Sequence, residues 1–177
     1  MVMAQSLFTI LQQQHSACHI DVLAPAWSLP LLARMPQVRQ GIAMPLGHGQ
    51  LGLMARYRLG LSLKAQGYDQ AIVLPNSWKS ALIPFFAHIP LRTGYLGELR
   101  WGLLNDARML DKRRLTMTVQ RFVALGFPPD TQLPPGYEPP RLHIDPRDQG
   151  AASDKFALMA DGKILVLCPG AEYGPAK

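Results

Sequence analysis

The chain has 177 residues, 48% of them apolar and 17% charged: enough length for one sizeable core, and a globular rather than a disordered composition. No apolar run approaches the ~18 residues needed to span a bilayer. The opening Met1-Val2-Met3-Ala4-Gln5-Ser6 has no basic stretch ahead of an apolar one, so no secretory leader is expected. The formal charge of +6 favours anionic partners. The basic residues are scattered, though, with Lys112-Arg113-Arg114 the only run and no aromatics interleaved, which argues against nucleic acid.

In chain order, Met3, Leu7, Ile10 and Leu11 recur at helical spacing and predict an amphipathic helix from Met1 to about Gln14. His19 to Leu23 alternates and is β-branched, a strand closed by Ala24-Pro25. A short helix near Ser28 to Ala33 and a strand near Gly41 to Pro45 follow. Pro45-Leu46-Gly47-His48-Gly49 reads as a loop, and Leu51 to Gln66 as a helix ended by Gly67. Gln70 to Leu74 is a buried-strand run bounded by Pro75, followed by a helix from about Ser77 to Ala87, a short strand at Leu91 to Gly94 and a helix at Thr116 to Leu125. Six prolines from Pro128 to Pro140 mark a surface connection. After it come an extended piece around Leu142-His143-Ile144, a helix near Gln149 to Met159 and a strand at Lys163 to Cys168. Cys18 and Cys168 each lie in or beside apolar runs and read as reduced, buried thiols, and no Cys/His spacing suggests zinc.

Strands alternating with helices predict a doubly wound α/β fold built on a parallel sheet. The division falls at 1–160 for the main domain, with 161–177 a strand and loop leading out of it. Such domains normally open on a strand and a Gly-bearing turn, and they carry ligands on loops at the strand carboxyl ends. Here a helix comes first, and the last residues form a Gly/Pro loop after a strand.

Several segments have the chemistry of an anion or sugar site. In Leu74-Pro75-Asn76-Ser77-Trp78-Lys79, Asn76 or Ser77 can cap a helix whose free N–H groups attract anions, with Lys79 adding charge; an ordinary cap and a solvated lysine is the plainer alternative. Arg92 and Arg100 stand beside Tyr95 and Trp101, where they suit bidentate phosphate contacts or simply pack on the rings. Arg56 and Arg58, two apart, point to opposite faces of a regular helix. Glu172 and Lys177 lie in the last loop. His15, His19, His48, His88 and His143 have no evident nucleophile partner, and no dinucleotide or P-loop fingerprint occurs.

Met44-Pro45-Leu46-Gly47-His48-Gly49, Leu74-Pro75-Asn76-Ser77-Trp78-Lys79-Ser80-Ala81, Arg92-Thr93-Gly94-Tyr95 and Cys168-Pro169-Gly170-Ala171-Glu172-Tyr173-Gly174-Pro175-Ala176-Lys177 together resemble glycosyltransferase family nine, the heptosyltransferases of lipopolysaccharide synthesis. The resemblance runs in order from Met1 to Lys177 and is weakest between Phe127 and Lys163. It implies the N-terminal, Rossmann-like domain of a GT-B enzyme, with helices on both faces of a parallel sheet and its first strand lacking. It implies inverting transfer of heptose from ADP-heptose to the inner-core heptose of a heptosyl-Kdo2-lipid A acceptor, in the cytoplasm and peripherally on the inner membrane, with no cofactor and no essential metal. Arg56, Arg58, Asn76, Lys79, Arg92 and Arg100 would then serve the acceptor, and Glu172 and Lys177 the donor. Family members open with a strand and a Gly-Asp loop whose aspartate is the presumed base; it would lie upstream of Met1, so no catalytic residue is assigned and the fragment is expected to be inactive alone. A non-catalytic α/β module binding carbohydrate or anions is the alternative.

Overall fold

The computed structural model describes residues 1–47, 49–132, 134–158 and 162–167. The chain divides into two units, Met1–Leu142 and His143–Lys177, the second beginning earlier than residue 161. Among the described residues of the first unit, the strands run in two all-parallel groups: β1 (Ile20–Pro25) beside β2 (Val38–Met44), and β3 (Gln70–Val73), β4 (Leu91–Tyr95) and β5 (Asp106–Arg108) in that order. Among the described residues the α-helices are α1 (Gln5–Gln14), α2 (Leu29–Leu32), α3 (Leu53–Lys64), α4 (Leu82–Phe86), α5 (Thr118–Ala124) and, in the second unit, α6 (Pro146–Lys155).

Side chains alternate across β3 and so separate the two faces of the sheet. Ile72 and Leu74 pack against the cluster of Leu7, Phe8 and Leu32 and against that of Tyr95, Leu115 and Leu125. Val73 faces the other way, onto Ala81 and Leu104. Helices α1 and α5 thus cover one face and the α4 region the other, the two-faced arrangement expected. Leu7 and Ile10 of the expected α1 stripe are buried, while Met3 is exposed. Gly126 lets the end of α5 approach α1, since a Cβ there would lie 2.7 Å from Leu7 Cδ1.

The phenol of Tyr68, just ahead of β3, donates to Asp21 Oδ2 near the start of β1 at 2.6 Å. The amino ends of β1 and β3 therefore lie together, yet these strands do not pair. Among the described residues the two groups form separate ladders.

Four expectations need correction. Ser77 to Ala87 is not one helix but a 3-10 turn, Trp78–Ser80, followed by the five-residue α4; Pro84 has no N–H to bond the Ser80 carbonyl, as one continuous helix would require. The proline-rich connection is partly tied down: Gln5 Nε2 donates to Arg141 O at 2.6 Å and Ser6 Oγ to Glu138 O at 2.7 Å, satisfying polar groups buried in the first turn of α1. Helix α6 starts at Pro146, because Asp145 accepts from Arg147 N at 2.8 Å as an N-cap with proline in the first turn. Residues 163–167, expected as a strand, form none, and Ile164 to Leu167 are exposed. β-Propensity without a neighbouring strand makes no ladder. Cys168 lies outside the described residues.

Candidate functional site at the carboxyl edge of the sheet

Strands β3 and β4 end side by side, with Val73 paired to Gly94, and their following loops meet. Gly97 makes this approach possible: a Cβ there would sit 2.7 Å from Asn76 O and 2.8 Å from Asn76 Cβ. Glu98 N donates to Asn76 O at 3.3 Å. The Glu98 carboxylate accepts from Trp78 N at 3.0 Å. Ser77 makes no side-chain cap bond to this turn. Glu98, which sequence reasoning missed, has therefore taken the leading N–H that was expected to attract an anion, and the short helix behind it adds little dipole.

Arg100 is fully buried beneath these loops. Its guanidinium donates to Tyr95 O, to Pro75 O at 2.8 Å and to Asn76 Oδ1 at 3.4 Å. Burial pushes its pKa down, and the charge of Glu98 opposes that shift. Arg56, 5% exposed, donates to Leu51 O at 2.6 Å, Gln50 O at 3.3 Å and Lys79 O at 3.1 Å. Burial lowers its pKa as well. Each guanidinium is spent on backbone carbonyls and fixes a loop. In place of the expected ligand role, both hold the backbone of the loop whose side chains Asn76 and Lys79 project: Asn76 exposed, Lys79 half-buried.

The other two predicted arginines lie elsewhere. Arg58 is exposed on α3, on a different side of the helix from buried Arg56, as their spacing required. Arg92 stands near the amino end of β4, paired in register with Ala71. Its Nε donates to Leu103 O at 2.7 Å and its Nη1 to Ile89 O at 2.6 Å, and the guanidinium lies 5.7 Å from the Phe85 ring centroid. The structure therefore brings together Asn76, Lys79, Arg56 and Arg100, and separates Arg58 and Arg92 from them. Glu172 and Lys177 lie outside the described residues.

Large apolar side chains also stand exposed just past the strand ends: Trp27 after β1, Leu99 and Trp101 after β4, and Met109 after β5. A soluble surface does not ordinarily concentrate such residues at one edge. Leu99 and Trp101 adjoin Glu98 and Arg100, which bond Asn76, so apolar and ring surface lies next to the loop that carries an amide and a cation.

The sequence profile of glycosyltransferase family 9 (heptosyltransferase) matches residues 56–177. Lipopolysaccharide heptosyltransferase 2 of Salmonella typhimurium is 49% identical over 182 residues, covering 100% of this chain and 52% of that protein. Lipooligosaccharide heptosyltransferase 2 of Haemophilus influenzae is 51% identical over 185 residues, covering 100% of this chain and 53% of that protein. The solved structure of E. coli ADP-heptose lps heptosyltransferase II superposes with a TM-score of 0.86 at 43% identity, over 99% of this chain and 52% of the other. The chain spans about half the length of the curated relatives it matches. On this evidence, the chain belongs to glycosyltransferase family 9, the heptosyltransferases.

Proposed function

We propose that this chain supplies the acceptor-side half of an inverting, GT-B heptosyltransferase that moves heptose from ADP-heptose to the inner-core heptose of lipopolysaccharide. The observation that carries the reading is the likeness over the whole chain to heptosyltransferase 2 proteins, at 47–51% identity. The carboxyl-edge site gives it chemical content. Lys79 and Asn76 are the acceptor-binding side chains, meeting phosphate or carboxylate and hydroxyl groups of the inner core, and Trp101 offers an apolar face to the sugar. Arg56 and Arg100 are positioning residues that act through Lys79 and Asn76. The donor loop, with Glu172 and Lys177, binds the diphosphate of ADP-heptose, where a lysine stabilises charge growing on the departing ADP. The reaction belongs at the cytoplasmic face of the inner membrane, where a lipid-anchored acceptor is held.

The test places this chain in the Salmonella relative in exchange for its aligned segment. The chimaera is incubated with ADP-heptose and deacylated heptosyl-Kdo2 acceptor. The expected product is the acceptor heavier by one heptose, with ADP released in equal amount. A soluble chimaera that binds the acceptor but gives no such product would return the chain to a non-catalytic binding module.

A further inference from the structure

We propose that the depression between α3 and α4 binds a small aromatic carboxylate, at the edge of the sheet opposite the acceptor loop. Tyr57 and Leu61 of α3, Phe85 and Phe86 of α4, and His88 and Arg92 beyond it line an open cavity of ≈ 330 Å³. That volume is at the lower end of small-molecule sites and suits one ring with a short side chain. Strands β3 and β4 run parallel, and Arg92 is the second residue of β4. The cavity therefore lies by the amino ends of the strands, away from Asn76 and Lys79, which follow the carboxyl end of β3.

The walls are rings held in fixed geometry. Gly60 lets α3 close on α4, since a Cβ there would lie 2.5 Å from Phe86 Cβ. The Tyr57 and Phe86 rings meet edge to face at 5.3 Å and 86°, and Phe85 meets Phe86 at 5.8 Å and 66°. Tyr57, Leu61 and Phe85 nevertheless remain exposed. A ligand ring set among them extends the same edge-to-face array, which an aliphatic chain cannot do.

The polar end of the cavity is cationic and has donors to spare. Arg92 spends Nε on Leu103 O and Nη1 on Ile89 O, while Nη2 makes no hydrogen bond among the described residues. The guanidinium is thereby fixed 5.7 Å from the Phe85 ring centroid. His88 adds an imidazole. Its φ of 55° is the left-handed conformation that glycine usually takes at a helix end, and it closes α4 as His88 N donates to Phe85 O and Ile89 N to Pro84 O. A ring-bearing residue kept in that conformation points to a use for its side chain. One arginine nitrogen and one imidazole N–H match the two oxygens of a carboxylate and fall short of a phosphate's three. Competing acid is scarce: between Val22 and Gly97 the only carboxylate is Asp69, and α3 and α4 contain none.

The test is titration of the chain with 3-phenylpropanoate, followed by saturation-transfer NMR on the ligand's ring protons. Neither ADP-heptose nor acceptor is present, so the outcome is independent of the transfer reaction. The expected Kd is ~1 mM or tighter. The neutral 3-phenylpropanamide, which loses the charge, and hexanoate, which loses the ring, should each bind at least ~5-fold more weakly. Leu61→Trp, at an exposed position, fills the depression and should abolish binding. His88→Gly removes the imidazole and gives the left-handed position its preferred residue, so it should melt no lower than the parent and yet bind at least ~5-fold more weakly. No binding by the parent, equal binding of the amide or of hexanoate, or unchanged binding by either variant overturns the proposal. So does displacement of the acid by ADP, which would assign it to a nucleotide site instead.

Discussion

Replacing Arg100 with Met tests whether a buried guanidinium holds the site loops together. The side chain is fully buried and supplies donors to Tyr95 O, Pro75 O and Asn76 Oδ1. Methionine nearly fills the volume and donates nothing. Asn76 is exposed, so water takes over its oxygen at little cost. The Tyr95 carbonyl is buried and would be stranded at ~1–3 kcal/mol, with about 1 kcal/mol more for Pro75 O. Against this, the variant no longer buries a charge whose own Nε has no partner. The net expectation is a loss of about 2–3 kcal/mol, read by urea unfolding followed by circular dichroism. Arg100→Lys separates charge from geometry. A single ammonium keeps the buried charge but cannot reproduce the planar fork, so it should be at least as damaging as Met. Stability of Arg100→Met within ~0.5 kcal/mol of the parent, or full rescue by Lys, would refute the assignment of Arg100 as the clamp between the two loops.

Three further outcomes follow from particular contacts. Gly60→Ala should destabilise by about 1–3 kcal/mol in the same unfolding assay despite the better helix propensity of alanine, because its methyl meets Phe86 Cβ and, at 3.0 Å, Ile83 O. Gly97→Ala should shift the Asn76 backbone and raise the acceptor KM of the chimaera several-fold, with little change in donor KM. The hydrogen bond from Arg39 lowers the pKa of Asp21, and that from Arg108 lowers the pKa of Asp106, so both carboxylates release their proton more readily folded than unfolded. Their contribution is complete above the usual carboxylate value of ~4 and is lost as pH falls through the depressed folded values; melts of the Asp21→Asn and Asp106→Asn variants should accordingly depend less on pH below ~4 than those of the parent. At the alkaline end, burial first and the Asp21 bond second push Tyr68 up to about 12, and burial raises Tyr95 too, so the parent should lose stability as pH rises beyond ~10 and Tyr68→Phe should lose less.

Much of this fold is legible in the sequence because its strands are apolar and bounded. Gln70 to Leu74 ends in proline, and His19 to Leu23 alternates; both became strands within a residue or two. Strand β5 is not legible, since Asp-Ala-Arg is three residues with charges at both ends. It is held by its own ion pair, Arg108 to Asp106 at 2.6 Å, and by Arg108 donating to Ala124 O and Phe127 O at the end of α5. Lys163 to Leu167 misled in the opposite direction, because local propensity says nothing of a pairing partner.

Asn76 and Lys79 lie on the loop that the strand–turn signal marks, but the clamping of that loop by Arg56 and Arg100 was not legible. Arginine reads from sequence as a surface cation available to ligands. What decides otherwise is three-dimensional: loops crowded closely enough, as at Gly97, to converge their carbonyls on one guanidinium. A hint was present, since Asp69 is the only carboxylate between Val22 and Gly97 and the arginines there had few acidic partners to choose from. Glu98 gave no signal at all, because its cap bond to Trp78 joins residues on different loops.

The central claim is that the carboxyl-edge loop after β3 holds the acceptor and that Lys79 is its cation. The most direct measurement compares Lys79→Ala and Arg58→Ala in the chimaera, using a water-soluble deacylated acceptor so that membrane contact plays no part. Loss of one partly exposed charge-assisted contact of ~1–1.5 kcal/mol corresponds to a rise of roughly tenfold in acceptor KM. Lys79→Ala should show that rise with donor KM nearly unchanged, while Arg58→Ala matches the parent in both. A Lys79→Ala variant with unaltered acceptor KM, or one in which only the donor KM moves, contradicts the account.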